Sequence, residues 1–283
     1  MGAEQVNLLP FDKPQDVYSG VASIVAKIVE KDALAGDPLA IKLNGQIVRK
    51  ILKQTVMTSV YGVTMPGARK QILNAMKSMK IQNFDTSDDQ ELFKASYYLA
   101  KLTFEALKEM FQGARNIMEW LATCAKLIAK DGKPVFWVTP LGLPVVQPYR
   151  KMGKQAVRTV VQTIVLESDS DRLPVNVARQ KSAFPPNYVH SLDSTHMMLT
   201  AMNCDKEGIT FSSVHDSFWC HPSNVERMSQ ILREQFIQLH QQPLLFQLRD
   251  HFERTYRNIE FPPVPEKGKL DLNQVSKSTY FFH

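Results

Sequence analysis

The chain has 283 residues, of which 44% are hydrophobic, enough to form the core of one large or two ordinary domains. No stretch approaches the roughly 18 apolar residues of a membrane span, and residues 1–20 contain neither a secretory signal nor an Arg-rich transit helix. The formal net charge of +6 favours polyanionic partners without identifying one.

The cysteine and glycine patterns exclude several kinds of site. Cys124, Cys204 and Cys220 lie far apart and form no C-x2-C pair, so the sequence predicts neither a disulfide framework nor a zinc site. No G-x4-G-K-[ST] or G-x-G-x2-G loop occurs. Phosphate binding would therefore depend on side chains.

Hydrophobic periodicity predicts a mainly helical first half. The predicted helices cover residues 12–36, starting near Asp12 and Pro14, then residues 49–62, residues 68–80 after a break at Met65-Pro66-Gly67, and residues 88–130 with an interruption at Gly113.

The second half is predicted to mix strands and helices. Residues 135–139 and 144–149 favour a hairpin, residues 157–166 are β-rich, and residues 167–172 form a polar linker. A helix is predicted over residues 191–204, followed by a hairpin over residues 208–220. Residues 262–268 indicate a semi-rigid linker, and the terminal aromatics at 280–282 are expected to be docked.

The helix over residues 49–62 carries candidate nucleotide-binding side chains. Arg49, Lys53, Met57 and Tyr61 recur at every fourth position, so they lie along one face. Lys53 and Tyr61 are then roughly 12 Å apart, a span that suits a nucleotide with its phosphates at the cationic end. Arg49 and Lys53 would meet phosphate oxygens, and Gly62 would allow close approach beside Tyr61. The alternative is an amphipathic helix with solvated cations and a buried tyrosine.

The hairpin near residue 215 carries a candidate metal ligand. Residues 208–214 and 218–220 are short apolar runs on either side of His215-Asp216, a pair that differs from the Asn-Gly or Asp-Gly preferred in tight turns. A broken local rule indicates a functional site, and a carboxylate on a rigid hairpin suits Mg²⁺. The alternative is an ordinary exposed loop aspartate.

Together these two segments resemble the single-subunit RNA polymerases of bacteriophages and mitochondria. In that family the fingers carry an R-x3-K-x7-Y-G helix and the palm an H-D-S-F hairpin, which match residues 49–62 and 215–218. Further matching stretches are VNLLPFDKPQDVYSGVA, WVTPLGLPVVQPYRK, FPPNYVHSLDSTHMMLTAM and LDLNQVSKSTYFFH. The last two are most similar to animal mitochondrial enzymes.

The resemblance implies an α/β (α+β), mainly helical chain with the right-hand polymerase fold, comprising the fingers and part of the palm. Residues 1–12 would be a palm remnant, residues 13–190 the fingers, and residues 191–261 the palm with its His-Asp-Ser hairpin. Residues 262–283 would be a C-terminal tail docked on the palm.

The resemblance also implies roles for individual residues. Asp216 and Lys53 would be catalytic, with Asp216 as a metal ligand, and Arg49 would contact the triphosphate. Tyr61 would lie at the junction of ribose and template.

Three further positions are candidates for substrate binding. Gly62 adjoins Tyr61, His215 adjoins the metal ligand, and His190 matches a position near the growing RNA end.

The implied reaction is DNA-templated RNA synthesis from ribonucleoside triphosphates at a two-metal Mg²⁺ site. The implied partners are the DNA template, the nascent RNA and accessory mitochondrial transcription factors, with no membrane. The implied location is the mitochondrial matrix.

One family motif has no counterpart in the sequence. A D-G-S-C-N-G-L-Q-H-like motif with a first catalytic aspartate normally lies shortly before the V-N-L segment, here at residues 6–8. We therefore expect the chain to be the C-terminal part of a longer polymerase and to be inactive alone, with one metal ligand outside it.

Two alternatives remain at this stage. A related family A-like DNA polymerase usually has H-D-E at the palm hairpin, where this chain has Ser217 after Asp216. A degenerate nucleic-acid-binding module would keep the fold without catalysis.

Overall fold

The chain divides into two compact units. The computed structural model describes residues 2–79, 81, 84, 88–168 and 173–282. The first unit comprises residues 1–115 with 268–283, and the second comprises residues 116–267. Of the predicted polar linker, residues 169–172 lie outside the described residues.

The first unit is helical throughout its described elements. Its helices are α1 (Gly2–Gln5), α2 (Val17–Leu34), α3 (Pro38–Leu43), α4 (Arg49–Ser59), α5 (Met65–Met79) and α6 (Asp89–Met110), followed near the C-terminus by a 3₁₀ helix (Leu272–Lys277). The apolar faces of α2 to α6 form one core, which includes the fully buried Val25, Leu52, Ile72 and Leu99.

Aspartate caps define where three of these helices begin. The carboxylates of Asp16, Asp37 and Asp88 accept hydrogen bonds from the backbone N–H groups that open α2, α3 and α6. Such caps satisfy donors that have no partner within the helix. The first long helix therefore begins at Val17, later than the predicted start near Asp12 and Pro14.

Helix α5 begins at Met65, three residues before its predicted start. The predicted break at Met65-Pro66-Gly67 is wrong, because proline is tolerated in the first turn of a helix, where a backbone N–H would have no partner within the helix. The predicted interruption of the following helix at Gly113 lies two residues late, since α6 ends at Met110 and α7 begins at Gln112.

The second unit combines helices with short hairpins. Its elements are α7 (Gln112–Lys130, starting in the first unit), β1 (Phe136–Val138), β2 (Pro144–Val146), β3 (Gly153–Arg158), β4 (Thr163–Ser168), α8 (Val177–Lys206), β5 (Ser212–Val214), β6 (Ser217–Trp219), a 3₁₀ turn (Pro222–Asn224), α9 (Val225–Gln241) and α10 (Leu244–Thr255). The described strands pair as three separate antiparallel hairpins, β1–β2, β3–β4 and β5–β6. The prediction of a mainly helical chain is confirmed. The described strands are antiparallel, as in α+β proteins.

Helix α8 is much longer than the predicted 191–204, because it begins at Val177 and continues through Pro185 and Pro186. Each interior proline removes a backbone hydrogen bond, at about 3 kcal/mol. Aromatic packing offsets this cost: Phe184 is fully buried, with its ring 5.2 Å from that of Trp137 and 5.8 Å from that of Phe252. Tertiary burial therefore overrides the local helix-breaking signal.

The C-terminal tail packs within the first unit. The Ser278 hydroxyl donates to the Asn7 carbonyl at 2.6 Å, and the Tyr280 hydroxyl donates to the Asp12 carbonyl at 3.2 Å. Phe281 is buried as predicted, whereas Phe282 is 43% exposed. The unit boundaries differ from the expected palm and fingers boundaries, and that subdomain division stays a prediction.

No helix in the described part of the chain is long and apolar enough to cross a membrane.

A buried histidine joins two helices of the second unit. His196 of α8 is 3% exposed, and its Nε2 donates to the Leu232 carbonyl of α9 at 2.9 Å. Burial lowers the pKa of His196 below its ordinary value of 6.5, despite the opposing effect of the hydrogen bond to Leu232. The folded protein therefore holds this imidazole neutral.

We predict that the free energy of unfolding decreases as the pH falls from 7.5 to 5.5. The unfolded state takes up the His196 proton near pH 6.5, whereas the folded state resists it, so protonation favours unfolding in that interval. Urea unfolding at both pH values measures the decrease, which should be smaller in His196→Gln. An equal decrease in the variant would contradict the assignment.

Candidate functional site

Helix α4 exposes the two cations predicted to bind phosphate. Its buried residues are Ile51, Leu52, Thr55 and Val56. Because side chains repeat every 3.6 residues, burial of this stripe leaves Arg49 and Lys53 on the exposed side. In the described part of the chain, no carboxylate lies within ion-pairing distance of Lys53.

The end of α4 presents Tyr61 beside a glycine. The helix ends at Ser59, so the predicted end at Gly62 is wrong by three residues and Tyr61 lies in the following turn. The Gly62 N–H donates to the Ser59 carbonyl and the Val63 N–H to the Thr58 carbonyl, the two bonds of a Schellman motif. Gly62 adopts φ +75°, a left-handed conformation that glycine tolerates best.

Tyr61 is 51% exposed, so the alternative of a buried core tyrosine is wrong for this position. Arg49, Lys53, Tyr61 and Gly62 all belong to the first unit. The structure thus brings this predicted group together along one helix and its terminal turn.

The start of α2 holds Arg49, an arrangement that the sequence alone did not indicate. Arg49 Nε donates to Asp16 Oδ2 at 2.6 Å. The Tyr18 ring centroid lies 5.0 Å from the Arg49 guanidinium carbon and 5.9 Å from Lys53 Nζ. The available signal was that Asp16 directly precedes a helical pattern, but this predicts only a cap.

The electrostatics of Asp16 fit this pairing. Partial burial raises the pKa of Asp16, but hydrogen bonds from Arg49 and Ser19 outweigh that effect and leave the pKa below 3.8. The carboxylate is therefore ionised at neutral pH.

The predicted His-Asp hairpin is confirmed. Val214 pairs with Ser217, so the loop between β5 and β6 consists of His215 and Asp216 alone, both exposed. His215 has φ +53°, a left-handed conformation that is uncommon for a residue other than glycine. Strain of this kind is concentrated at functional sites.

Aromatic packing holds the short hairpin in place. The rings of Phe211 and Phe218 meet edge to face with centroids 5.3 Å apart. The hairpin therefore presents the Asp216 carboxylate to solvent from a turn of two residues.

The donor set around Asp216 does not by itself fit a pair of metal ions. Among the described residues, no group of three or more His, Cys, Asp or Glu side chains could hold a metal ion. Mg²⁺ is often bound by one or two carboxylates with waters and substrate phosphates, so Asp216 suits one protein ligand of such a site.

His190 lies on the exposed side of α8 and lines a cavity of about 260 Å³. Trp137, Gln147, Tyr149 and Asn187 also line it, whereas His215 and Asp216 do not. His190, His215 and Asp216 all belong to the second unit.

A buried amide network supports this cavity. Gln147 Nε2 donates to Gln180 Oε1 at 2.7 Å, Gln180 Nε2 donates to the Gln147 carbonyl at 2.8 Å, and Asn187 Nδ2 donates to Gln147 Oε1 at 3.0 Å. These bonds join the β1–β2 hairpin to the start of α8. Sequence reasoning missed them, because a glutamine gives no local signal of a partner 33 residues away.

Comparison with known proteins identifies the family. The family model for DNA-dependent RNA polymerase matches residues 1–259 and 255–283. The chain belongs to the DNA-dependent RNA polymerase family. The resemblance noted from the helix and hairpin motifs is therefore confirmed, and the DNA polymerase alternative is not supported.

Plant organellar enzymes are among the relatives. DNA-directed RNA polymerase 1, mitochondrial, of Nicotiana sylvestris is 50% identical over 289 residues, which cover 100% of this chain and 28% of that protein. DNA-directed RNA polymerase 2, chloroplastic/mitochondrial, of Arabidopsis thaliana is 50% identical over 290 residues, with coverage of 100% and 28%. DNA-directed RNA polymerase 2A of Nicotiana tabacum is 48% identical over 289 residues, with coverage of 100% and 85%.

The chain thus spans about 28% of the length of the first two relatives. All three relatives are plant proteins, and the closer similarity of two stretches to animal mitochondrial enzymes stays a prediction.

Proposed function

We propose that this chain forms the fingers and part of the palm of a mitochondrial DNA-directed RNA polymerase with the right-hand fold. The observation that carries the proposal is the 50% identity, over the whole chain, to an enzyme named a mitochondrial DNA-directed RNA polymerase. In this proposal residues 13–190 are the fingers, residues 191–261 the palm, residues 1–12 a palm remnant and residues 262–283 a tail docked on the palm.

The exposed side of α4 would bind the incoming nucleotide. Arg49 offers a planar fork of donors suited to phosphate oxygens, and Lys53 offers a compact positive charge. Lys53 would stabilise the charge that develops on the leaving pyrophosphate, since a fixed cation acts most strongly where charge appears in the transition state.

Tyr61 would act at the sugar. Its exposed ring follows directly after the cationic helix, and Gly62 leaves room beside it. A hydroxyl at this position would recognise the 2′-OH of a ribonucleotide directly or through water.

Asp216 would be one ligand of a Mg²⁺ site whose second carboxylate lies outside this chain. Bound Mg²⁺ would supply charge neutralisation for the reacting phosphates. The two-residue turn would fix the direction in which the Asp216 side chain leaves the backbone, and His215 beside it would contact substrate.

His190, at the rim of the 260 Å³ cavity, would lie near the growing RNA end. The partners would be the DNA template, the nascent RNA, ribonucleoside triphosphates and accessory mitochondrial transcription factors. The location would be the mitochondrial matrix, in agreement with the names of several relatives.

We predict that the 283-residue chain alone gives no templated RNA synthesis, because the single carboxylate of Asp216 would bind a pair of metal ions only weakly. A chimera in which it replaces the matching segment of the Nicotiana sylvestris enzyme should be active. Asp216→Asn should reduce single-turnover nucleotide addition in the chimera by at least about 100-fold, whereas Asp205→Asn, on an exposed part of α8, should change it little.

EDTA-sensitive nucleotide incorporation by the isolated chain on a primed template would contradict the expected need for an outside ligand. An inactive but well-folded chimera that still binds the template would favour the non-catalytic nucleic-acid-binding alternative.

We also predict that Tyr61→Phe keeps ribonucleotide incorporation in the chimera but lowers the preference for ribo- over deoxyribonucleotides. Loss of the hydroxyl removes a partner for the 2′-OH, so the preference should fall by about one to two orders of magnitude, or roughly 1.4 to 2.8 kcal/mol. Competition between paired rNTP and dNTP substrates measures the ratio. An unchanged preference in a variant of normal stability would remove Tyr61 from the site.

A further inference from the structure

The contact between Arg49 and Asp16 leaves one side of the guanidinium available. Arg49 donates to Asp16 through Nε, and in the described part of the chain its two terminal nitrogens have no hydrogen-bond partner. A guanidinium carries five donors in a planar fork, so four N–H groups stay available to a phosphate. Asp16 therefore holds the Arg49 side chain without using all of its hydrogen-bond donors.

The Tyr18 ring also contacts the Arg49 guanidinium. Its centroid lies 5.0 Å from the Arg49 guanidinium carbon, and the ring is itself partly buried against the core of the first unit. The same ring lies 5.9 Å from Lys53 Nζ. One aromatic ring therefore contacts both cations of the proposed triphosphate site.

We propose that Asp16 and Tyr18 are positioning residues that hold Arg49 and Lys53 in the geometry that receives a triphosphate. The proposal rests on the proposed function of Arg49 and Lys53. Asp16 fixes the guanidinium through Nε, and Tyr18 supports both cations from one side. The N-terminus of α2 is thereby a part of the nucleotide site that touches no nucleotide itself.

The flexibility of the arginine side chain determines how much affinity this positioning adds. Immobilising a side chain with many rotamers costs about 0.5–1.5 kcal/mol on binding, and prior ordering removes this cost. At about 1.4 kcal/mol per tenfold, the gain in affinity is roughly 2- to 10-fold. The opposing effect is that the Asp16 carboxylate is itself an anion that repels phosphate and competes for Arg49. Arg49 contacts Asp16 through Nε alone, so the terminal N–H groups of its guanidinium stay available to a phosphate. This geometry favours a positioning role for Asp16.

Titration of the 283-residue chain with inorganic triphosphate, monitored by calorimetry, tests the proposal with Asp16→Asn. Asparagine keeps an oxygen that caps α2, as aspartate does for the N–H groups of Tyr18 and Ser19, but removes the charge that holds Arg49. We expect affinity to fall by roughly 2- to 10-fold. Ser19→Ala is the matched control, since it removes the hydroxyl that donates to the same carboxylate and keeps the charge.

A double-mutant cycle separates positioning from a general effect on folding. Arg49→Ala should weaken triphosphate binding, and Asp16→Asn should then add nothing in the Arg49→Ala background. A purely structural role of Asp16 in capping α2 would instead weaken binding equally in both backgrounds. The ¹⁵Nε–¹H signal of Arg49 should also shift in Asp16→Asn and stay unchanged in Ser19→Ala.

The outcomes distinguish this inference from the function on which it rests. If Arg49→Ala leaves affinity unchanged, the proposed role of Arg49 fails and the inference fails with it. If Arg49→Ala weakens binding but Asp16→Asn leaves it unchanged or strengthens it, only the positioning role is overturned.

For Tyr18, Tyr18→Phe keeps the ring and should retain affinity, whereas Tyr18→Leu should lose it by a similar 2- to 10-fold. Equal affinities of the two variants would overturn the role of the ring.

Discussion

Burial of one stripe of α4 determines which side of this helix, and so which residues of the proposed nucleotide site, face solvent. Leu52 and Ile51 are at most 1% exposed, and each such side chain contributes about 1.5–3 kcal/mol through burial. These contributions exceed those of individual surface cations, so the core fixes the rotation of the helix about its axis. Arg49 and Lys53 then face outward as a geometric consequence.

Polar contacts also link α4 to the neighbouring helices. Thr55 is fully buried and its hydroxyl donates to Gln71 Oε1 at 3.2 Å, while the Thr58 hydroxyl donates to the same oxygen at 3.1 Å. Gln71 of α5 thus contacts two threonines of α4. The contacts of Arg49 with Asp16 and Tyr18 add a link to α2, so three helices of one unit together define the cationic surface.

In the second unit, burial also determines which residues of a helix are exposed. Phe184 and Tyr188 bury one side of α8 in an aromatic core, which leaves His190 at the rim of a cavity. Asp216 depends instead on turn geometry, since a loop of only two residues between paired strands leaves its backbone little freedom.

The sequence predicted those features that depend on neighbouring residues. The apolar period of α4 and the two runs flanking His215-Asp216 are local patterns, and both the exposed cations and the hairpin are as expected. Features set by distant contacts were missed: α8 continues through Pro185 and Pro186 because of buried aromatic packing, and the Asp16–Arg49 pair joins residues 33 positions apart. Roles in chemistry were implied by family resemblance, since no local pattern distinguishes a catalytic lysine from a solvated one.

The central claim is that the exposed side of α4 contacts the nucleotide during the reaction. Lys53→Ala in the chimera with the Nicotiana sylvestris enzyme tests it most directly, with Lys94→Ala, which changes an exposed lysine of α6, as the control. The account predicts that single-turnover nucleotide addition slows on the order of 100-fold in Lys53→Ala and changes little in Lys94→Ala. A rate for Lys53→Ala within a factor of about two of the unmutated chimera, at unchanged stability, would contradict the account and favour a solvated helix face.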